Sequence, residues 1–311
     1  MKLTNWMKIW LEKYTQPRVK LRTYILYKKL IFLHILPALG NYDLKKLSPG
    51  ILQDFVLQQL SSGNLNNQQS LANNSVNSIV HVLKQALKSA VNLGITHKEY
   101  GRFITTPRTQ EKQVVAFEKN EQTLIEQFCL NSDRPNHLGI VLCLYTGLRI
   151  GELLALTWRD VDFEKRLIYI NKSVFTHFEN GSQKMIVDTP KTRNSNRIIP
   201  IPRQIVSILS RLKKHSKSNF VITTRRKTMV SSRSYQKTFE RILLKLNIPY
   251  KNFHSLRHTF ATRAIEIGVD VKTLSEILGH KNPMITLSRY AHSLLSHKKD
   301  MMNKLGKMLN C

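Results

Sequence analysis

Acidic residues are scarce in this chain of 311 residues. Asp and Glu together number 20, whereas Lys and Arg number 49, and the formal net charge is +29 at pH 7. The excess is spread along the chain, since residues 1–110 carry 15 basic and 4 acidic side chains and the remaining residues carry 34 and 16. A charge distributed over both halves predicts a polyanionic partner that both halves contact, as a clamp closing around a duplex would.

Cysteine is nearly as scarce. Cys129, Cys143 and Cys311 are odd in number and have neither CxxC nor Cys/His finger spacing, which argues against a disulfide framework and a zinc module. Eleven His residues are present, but none forms an HExxH or comparable ligand pair. We therefore expect no metal and no cofactor. The cysteine usage fits an intracellular protein, and the expected location is cytoplasmic and nucleoid-associated.

Long apolar runs are absent as well. The longest apolar stretch, residues 24–39, is interrupted by Lys28, Lys29, His34 and Pro37, so no run of about 20 apolar residues could cross a membrane. The start of the chain has basic residues but no apolar core ahead of a small-residue cleavage site, so no signal peptide is expected. A membrane is therefore not the expected partner.

The spacing of apolar residues predicts helices through the first hundred residues and a mixed region after them. Helical spacing occurs at 5–14, 21–36, 48–60 and 76–93. A polar stretch at 105–113, which contains Pro107, separates this region from the rest. We expect an α+β, mostly helical fold with a helical bundle over 1–107, a linker over 108–115 and a mixed domain over 116–311.

Three segments of the second domain read as strands. Residues 166–174, 184–188 and 197–201 alternate or run apolar, with turn residues between them. They predict a small three-stranded antiparallel sheet with Lys191 in the turn between its second and third strands. Helices are predicted around it, including 204–214, 234–246, 255–267 and 271–278.

Four residues of this domain suit the transfer of a phosphodiester. The phenol of Tyr290 is a candidate nucleophile, because an aryl phosphate stores the bond energy for attack by a sugar hydroxyl. Arg149 and Arg257 are permanently charged planar donors that suit the non-bridging oxygens. Lys191, in its predicted turn, is a candidate general acid for the departing 5′ oxygen.

Two histidines and one glutamate complete this candidate site. His254 lies one helical turn before Arg257, so both can face one phosphate as donor or proton shuttle. His280 follows a Gly at a predicted helix end, ten residues before Tyr290. Glu152, three residues after Arg149, is expected to orient that guanidinium. Four further residues within or beside these segments are assigned to packing or phosphate contacts: His258, Arg263, Arg289 and His292.

These residues together resemble the tyrosine recombinases, or phage integrase family, in the simpler Xer-like layout with one DNA-binding domain before the catalytic region. The resemblance covers about residues 116–295 by motif, whereas the helical region fits the SAM-like core-binding domain only by position, size and charge. The matching residues are Arg149 in TGLRIGEL, Lys191 in TPKTRNSNR, His254 and Arg257 in HSLRHTFAT, His280 in LGH and Tyr290 in SRYAH.

The resemblance implies a reaction and a set of partners. One strand is cleaved with formation of a 3′-phosphotyrosine and a free 5′-hydroxyl, and a partner's 5′-hydroxyl then attacks to give a Holliday junction, without a metal or nucleotide. The expected partners are double-stranded DNA with inverted-repeat core sites and other protomers in a tetrameric synapse. A directionality factor is a further candidate partner, and integration, excision, inversion and resolution all remain open.

Two other classes of protein share part of this pattern. A type IB topoisomerase uses a similar set of Arg, Lys, His and Tyr residues, but the basic helical region and the spacing from LGH to Tyr290 favour recombination. A non-catalytic DNA-binding regulator would account for the charge and the helices. It would not account for the ordered set of catalytic residue types.

The last residues form an amphipathic stripe. Within 296–310 the apolar residues that share one predicted helical face are Met301, Met302, Leu305, Met308 and Leu309. From these residues alone, packing on the protein's own domain and docking on a neighbouring protomer are equally good interpretations. The family resemblance favours docking in trans within a DNA-bound tetramer.

Overall fold

The computed structural model of the protein describes residues 1–65, 67–109, 115–179, 181–188, 196–280, 282–284 and 302–309. The chain divides into two compact units, Met1–Lys112 and Gln113–Cys311. Both contain their own apolar core. Helices predominate and the described strands form small antiparallel sheets, which confirms the predicted α+β, mostly helical class. Among the described residues, no helix is both long and apolar enough to cross a membrane.

The first unit is helical. Its described α-helices are α1 (Leu3–Ile9), α2 (Leu21–Leu30), α3 (Leu36–Leu39), α4 (Pro49–Ser62) and α5 (Asn73–Asn92). Two stretches of π-helix, Trp10–Thr15 and Ile31–Ile35, extend α1 and join α2 to α3. When α1 is counted with its π-helical extension and α2 to α3 are counted as one continuous helix, all four helices predicted here are confirmed, each within three residues of its predicted ends. The π-helical stretches were not foreseen.

Packing onto α5 organises this unit. The apolar face of α5 is buried, and the indole N–H groups of Trp6 and Trp10 donate to Ala86 O and Ser89 Oγ of α5, both at 2.9 Å. These bonds let two large side chains be buried without leaving their polar atoms unpaired. At the start of α4, Ser48 Oγ accepts from the third helical N–H, which satisfies one of the free donors there.

Part of the polar stretch after α5 is bound to the first unit. Backbone groups of residues 104–108 form hydrogen bonds of 2.9 to 3.4 Å with the side chains of Gln53, Asn73, Asn77 and Lys84, which lie on α4 and α5. These side chains supply hydrogen-bond partners for backbone groups that have none of their own in a helix or sheet. Residues 104–108 are therefore part of the first unit.

The second unit mixes helices with short strands. Its described helices are α6 (Lys119–Leu130), α7 (Leu138–Thr146), α8 (Ile150–Ala155), α9 (Arg203–His215), α10 (Ser232–Lys245), α11 (His254–Glu266) and α12 (Val271–Leu278). Its strands are β1 (Val161–Asp162), β2 (Leu167–Ile170), β3 (Ser173–Glu179), β4 (Ser182–Asp188) and β5 (Arg197–Pro200). The four predicted helices over 204–278 are confirmed. Residues 302–308 are also helical.

The predicted sheet is wrong in its membership. The three-stranded sheet has the order β1-β2-β5, whereas β3 and β4 form a separate two-stranded hairpin. The predicted strand 166–174 is therefore two strands, broken at Asn171 and Lys172. At this break the Lys172 ammonium binds the Asp160 carboxylate at 2.5 and 2.8 Å. The residues before the break pair with β5, and those after it pair with β4. β1 is only two residues long, too short to show alternation.

Candidate active site

The structure places five of the seven predicted site residues where helices begin or end. Arg149 immediately precedes α8 and Glu152 lies in its first turn. His254 and Arg257 occupy the first turn of α11, and His280 follows the end of α12. The other two, Lys191 and Tyr290, lie outside the described residues. Lys191 falls between β4 and β5 in chain order.

A glycine turn sets the direction of the Arg149 segment. Gly147 caps α7 with φ +65°, a left-handed conformation that glycine adopts without steric cost. A β-carbon at this position would lie 2.6 Å from Phe260 Cδ1 and 2.9 Å from Leu278 Cδ2. The turn is thus packed directly against α11 and α12, and the next residues start α8 with Arg149 at its head.

Three arginines converge on the last carbonyl groups of α12. Arg197 Nε donates to Ile277 O at 2.6 Å, Arg257 Nη2 to Leu278 O at 2.6 Å, and Arg149 Nη2 to Gly279 O at 3.2 Å. Carbonyl groups at a helix end lack intrahelical donors and carry partial negative charge, so cations stabilise them. Side chains from three distant parts of the chain are thereby fixed around one helix end.

Arg257 is held from both sides. Its Nη1 donates to Gly147 O at 2.8 Å while Nη2 binds α12, and its side chain is buried. The guanidinium therefore links the α7 turn to the end of α12. Arg149 is more accessible, so the two predicted phosphate-binding arginines differ in exposure although they share one helix end.

Glu152 binds two of these three arginines, and the four side chains form one cluster with its carboxylate at the centre. Its Oε1 accepts from Arg149 Nη1 at 2.8 Å and Arg197 Nη1 at 2.9 Å, and its Oε2 accepts from Arg197 Nη2 at 2.7 Å and from the Arg149 backbone N–H at 2.9 Å. Burial by itself raises the pKa of this carboxyl. The hydrogen bonds and charge of Arg197, followed by the charge of Arg149, outweigh burial and hold the pKa at about 2.

Arg197 ends the sequence motif that contains Lys191, but no role was predicted for it. It is buried at the start of β5, where it pairs in register with Ile170. Alternation along β5 puts Arg197 on the same face as buried Ile199 and opposite exposed Ile198. An arginine at an inward position of a strand signals a buried anionic partner, and that signal was present in the sequence.

The histidines complete the polar surface near the cluster. The rings of His254 and His258 on α11 meet edge to face, with centroids 4.6 Å apart. The His280 backbone N–H donates to Ser275 O at 3.0 Å, which closes α12 after the left-handed Gly279. Three guanidinium groups against one carboxylate leave a net charge of +2, and histidines beside it can carry protons. The arrangement suits an anionic ligand that reacts with proton transfer.

The opposite side of α11 anchors the start of the second unit. Thr259 Oγ1 accepts from the Phe117 N–H at 2.8 Å, and Arg263 Nη2 donates to Phe117 O at 2.8 Å. Arg263 also contacts Gln122 and Glu266. Packing is therefore the assignment that the structure gives Arg263. Across the described residues, no group of three His, Cys, Asp or Glu side chains could hold a metal ion.

Comparison with known families identifies the chain. The model of the phage integrase family matches residues 108–297, and the model of the phage integrase N-terminal SAM-like domain matches residues 2–58. The protein belongs to the phage integrase family, the tyrosine recombinases. The predicted function, site-specific DNA recombination, is thereby confirmed.

Individual relatives agree with this assignment. The chain is 29% identical to a protein described as tyrosine recombinase XerC-like from Caldanaerobacter subterraneus subsp. tengcongensis, over 98% of this chain and 82% of the relative. Its fold is similar to that of the Tn1549 transposon integrase in complex with a circular intermediate DNA, with a TM-score of 0.82, 23% identity and coverage of 98% and 99%. A lambda integrase tetramer bound to a Holliday junction gives a TM-score of 0.68 at 18% identity, with coverage of 91% and 78%.

Proposed function

We propose that this recombinase cuts and rejoins DNA through a 3′-phosphotyrosine formed by Tyr290, with the cluster around α12 binding the scissile phosphate. The observation that carries the proposal is the convergence of Arg149, Arg257 and Glu152 at one helix end that leads directly into His280. These are the residues whose types suit phosphodiester transfer. Their assembly from separate segments supports one shared site.

In the proposed chemistry the Tyr290 oxygen attacks phosphorus while the bond from phosphorus to the 5′ oxygen breaks. The phenolic proton passes to a site histidine or to water, and Lys191 protonates the departing oxygen. Arg149 and Arg257 offset the charge that builds on the non-bridging oxygens. Attack by a partner's 5′-hydroxyl reverses each step and completes strand exchange. Cations and proton donors come from the protein, so the proposal needs no metal.

Replacement of Tyr290 by Phe tests the nucleophile. The substrate is taken from a library of nicked duplexes of randomised sequence. The parent chain is incubated with this library, and the duplexes that become attached to it in covalent adducts that survive SDS are selected. The Tyr290→Phe variant should bind the selected duplexes and form no adduct, whereas the exposed-tyrosine control Tyr250→Phe should form adducts as the parent does. An adduct that persists in the Tyr290→Phe variant would contradict the assignment.

The general acid has a separate test. A substrate with sulfur in place of the bridging 5′ oxygen releases a thiolate, which needs no protonation to depart. Lys191→Ala should cleave the oxygen substrate slowly and the sulfur substrate nearly as fast as the parent, while Lys165→Ala, an exposed control, should cleave both normally. Equal inactivity of Lys191→Ala on both substrates would exclude protonation as its role.

We further propose that residues 1–107 form the core-binding domain, 108–115 the linker and 116–311 the catalytic domain, and that both domains grip duplex DNA at the nucleoid. Net positive charge in both parts of the chain supports this. Because phosphate contacts release counterions, the affinity for DNA should fall by roughly 10³-fold or more between 50 and 200 mM salt. A weak salt dependence of binding would contradict contacts by both domains.

The proposed assembly is a DNA-bound tetramer in which the end of the chain docks on a neighbouring protomer. Met302, Leu305, Met308 and Leu309 in the helical segment near the C-terminus are exposed. The lambda integrase tetramer on a Holliday junction, which shares the fold, supports the idea. Deletion of the residues after Ser296 should leave binding of one protomer to one site intact and abolish cooperative assembly. Retained cooperativity would exclude the trans arrangement.

A further inference from the structure

We propose that Arg197, to which no role was assigned from the sequence, is a positioning residue for DNA cleavage: it holds Glu152 and the end of α12 so that Arg149 presents an uncompensated positive charge to the scissile phosphate. The inference rests on the proposed function of Arg149. It adds a residue that acts on the reaction without touching the substrate.

All the donor nitrogens of the Arg197 head group are used inside the protein. Nη1 and Nη2 bind the two oxygens of Glu152 at 2.9 and 2.7 Å, and Nε donates to Ile277 O at 2.6 Å. The side chains of Arg197 and Glu152 are only 5% and 8% exposed. Three of its five N–H donors are thus engaged, and its burial keeps the side chain from binding a phosphate, but a planar two-point pair fixes the orientation of the carboxylate.

Arg149 stands on the open side of the same carboxylate. It is 37% exposed and shares Glu152 Oε1 with Arg197. If Arg149 were the sole cationic partner of Glu152, the negative charge of the carboxylate would cancel the positive charge by which Arg149 stabilises the phosphate. Arg197 balances Glu152 from the buried side, so the carboxylate orients Arg149 while the pair of arginines keeps a net positive charge. The physical role of Arg197 is therefore electrostatic as well as geometric.

Arg197 also supports the segment that leads to His280. Gly279 has φ +65°, and a β-carbon there would lie 3.0 Å from Arg197 Cδ and 3.2 Å from its Nη1. The backbone of α12 thus ends directly against the arginine side chain. Since Arg197 is itself fixed by strand pairing to Ile170, it connects the sheet to both the Arg149 and the His280 segments.

The experiment compares Arg197→Lys with Arg263→Lys. Arg263 lies on the far side of α11 and forms a similar number of hydrogen bonds within the protein. Its substitution therefore measures the effect of losing such hydrogen bonds without disturbing Glu152. Single-turnover cleavage is measured on the selected duplexes with an ordinary scissile phosphate and with a methylphosphonate, which carries no negative charge for the arginines to neutralise. The stability and the DNA affinity of each variant are measured alongside.

Arg197→Lys should fold and bind DNA with nearly the parent's affinity but cleave the ordinary substrate roughly 10- to 100-fold more slowly, because small misplacements of charged groups cost about that much. The defect should shrink on the methylphosphonate, and Arg197→Lys should add little to the defect of Arg149→Ala. Arg263→Lys should affect both substrates equally.

Two outcomes would overturn the assignment of Arg197. One is an equal defect on both substrates, and the other is a full additional defect in the Arg149→Ala background. If the parent chain itself formed no covalent adduct, the proposed function would fail, and the assignment of Arg197 would fail with it. If the parent is active and either of the first two outcomes is observed, the proposed role of Arg197 is refuted while the proposed function stands.

Discussion

Substitution of Gly147 by Ala should destabilise the second unit more than the same substitution at another left-handed glycine. Gly147 ends α7, and its carbonyl oxygen accepts the Arg257 hydrogen bond at 2.8 Å. An added methyl group meets two obstacles at once. The residue must keep φ near +65°, and the new atom would approach Phe260 and Leu278 to 2.6 and 2.9 Å.

The two obstacles have separate magnitudes. The left-handed conformation costs a residue with a β-carbon about 1–2 kcal/mol. Overpacking by one carbon in a filled core costs about 1–3 kcal/mol more. The expected loss of unfolding free energy is therefore about 2–5 kcal/mol, which corresponds to a decrease in Tm of roughly 4–20 °C for a unit of this size.

Gly181 supplies the matched control within the same unit. Its φ is +74°, but a β-carbon there would have no neighbour within 4 Å, so Gly181→Ala should show the conformational cost alone. Thermal and urea unfolding followed by circular dichroism measure both variants. Gly147→Ala should also slow DNA cleavage, since any shift of the turn moves the acceptor of Arg257. Equal destabilisation by the two substitutions would refute the packing argument.

Three further predictions concern buried polar contacts. The pKa of Glu152 is lowered from 4.5 to about 2, so the ionised carboxylate stabilises the folded protein by an amount on the order of 3 kcal/mol. This contribution is complete above pH 4.5 and is lost as the pH falls towards 2. Urea unfolding measured as a function of pH should show the loss in the parent and not in Glu152→Gln. Thr259→Val leaves the buried Phe117 N–H without its acceptor and should cost about 1–3 kcal/mol in the same assay. Asp160→Asn weakens the pair with Lys172, which is partly exposed, and should cost only about 1 kcal/mol, a loss that high salt should mimic in the parent.

Local signals in the sequence were sufficient for much of this molecule. The helices follow from their apolar spacing, and the position of Arg149 follows from Gly147, which ends one helix just before the next begins. His254 and Arg257 share a helical turn as predicted. Each of these features depends on residues within a few positions of one another, where propensity and capping decide the structure.

Contacts between residues far apart in the chain could not be predicted from such local signals. Alternation over 166–174 shows which residues face inward but carries no information on which strand pairs with which, so the change of partner at Lys172 was missed. The contact between Arg197 and Glu152 joins positions 45 residues apart, and only the fold brings them together. The roles of Lys191 and Tyr290 remain predictions.

The three arginine contacts at the end of α12 also constrain when the site can form. They join residues that are 80, 21 and 130 positions apart in the chain, and the contacts of Arg197 and Arg149 therefore each close a long loop. Such contacts form late, because loop closure costs entropy that is recovered only when the partners meet. During synthesis from the N-terminus, the first unit can fold and meet DNA before Gly279 has left the ribosome. We therefore expect a nascent chain to hold DNA before it is able to cut it.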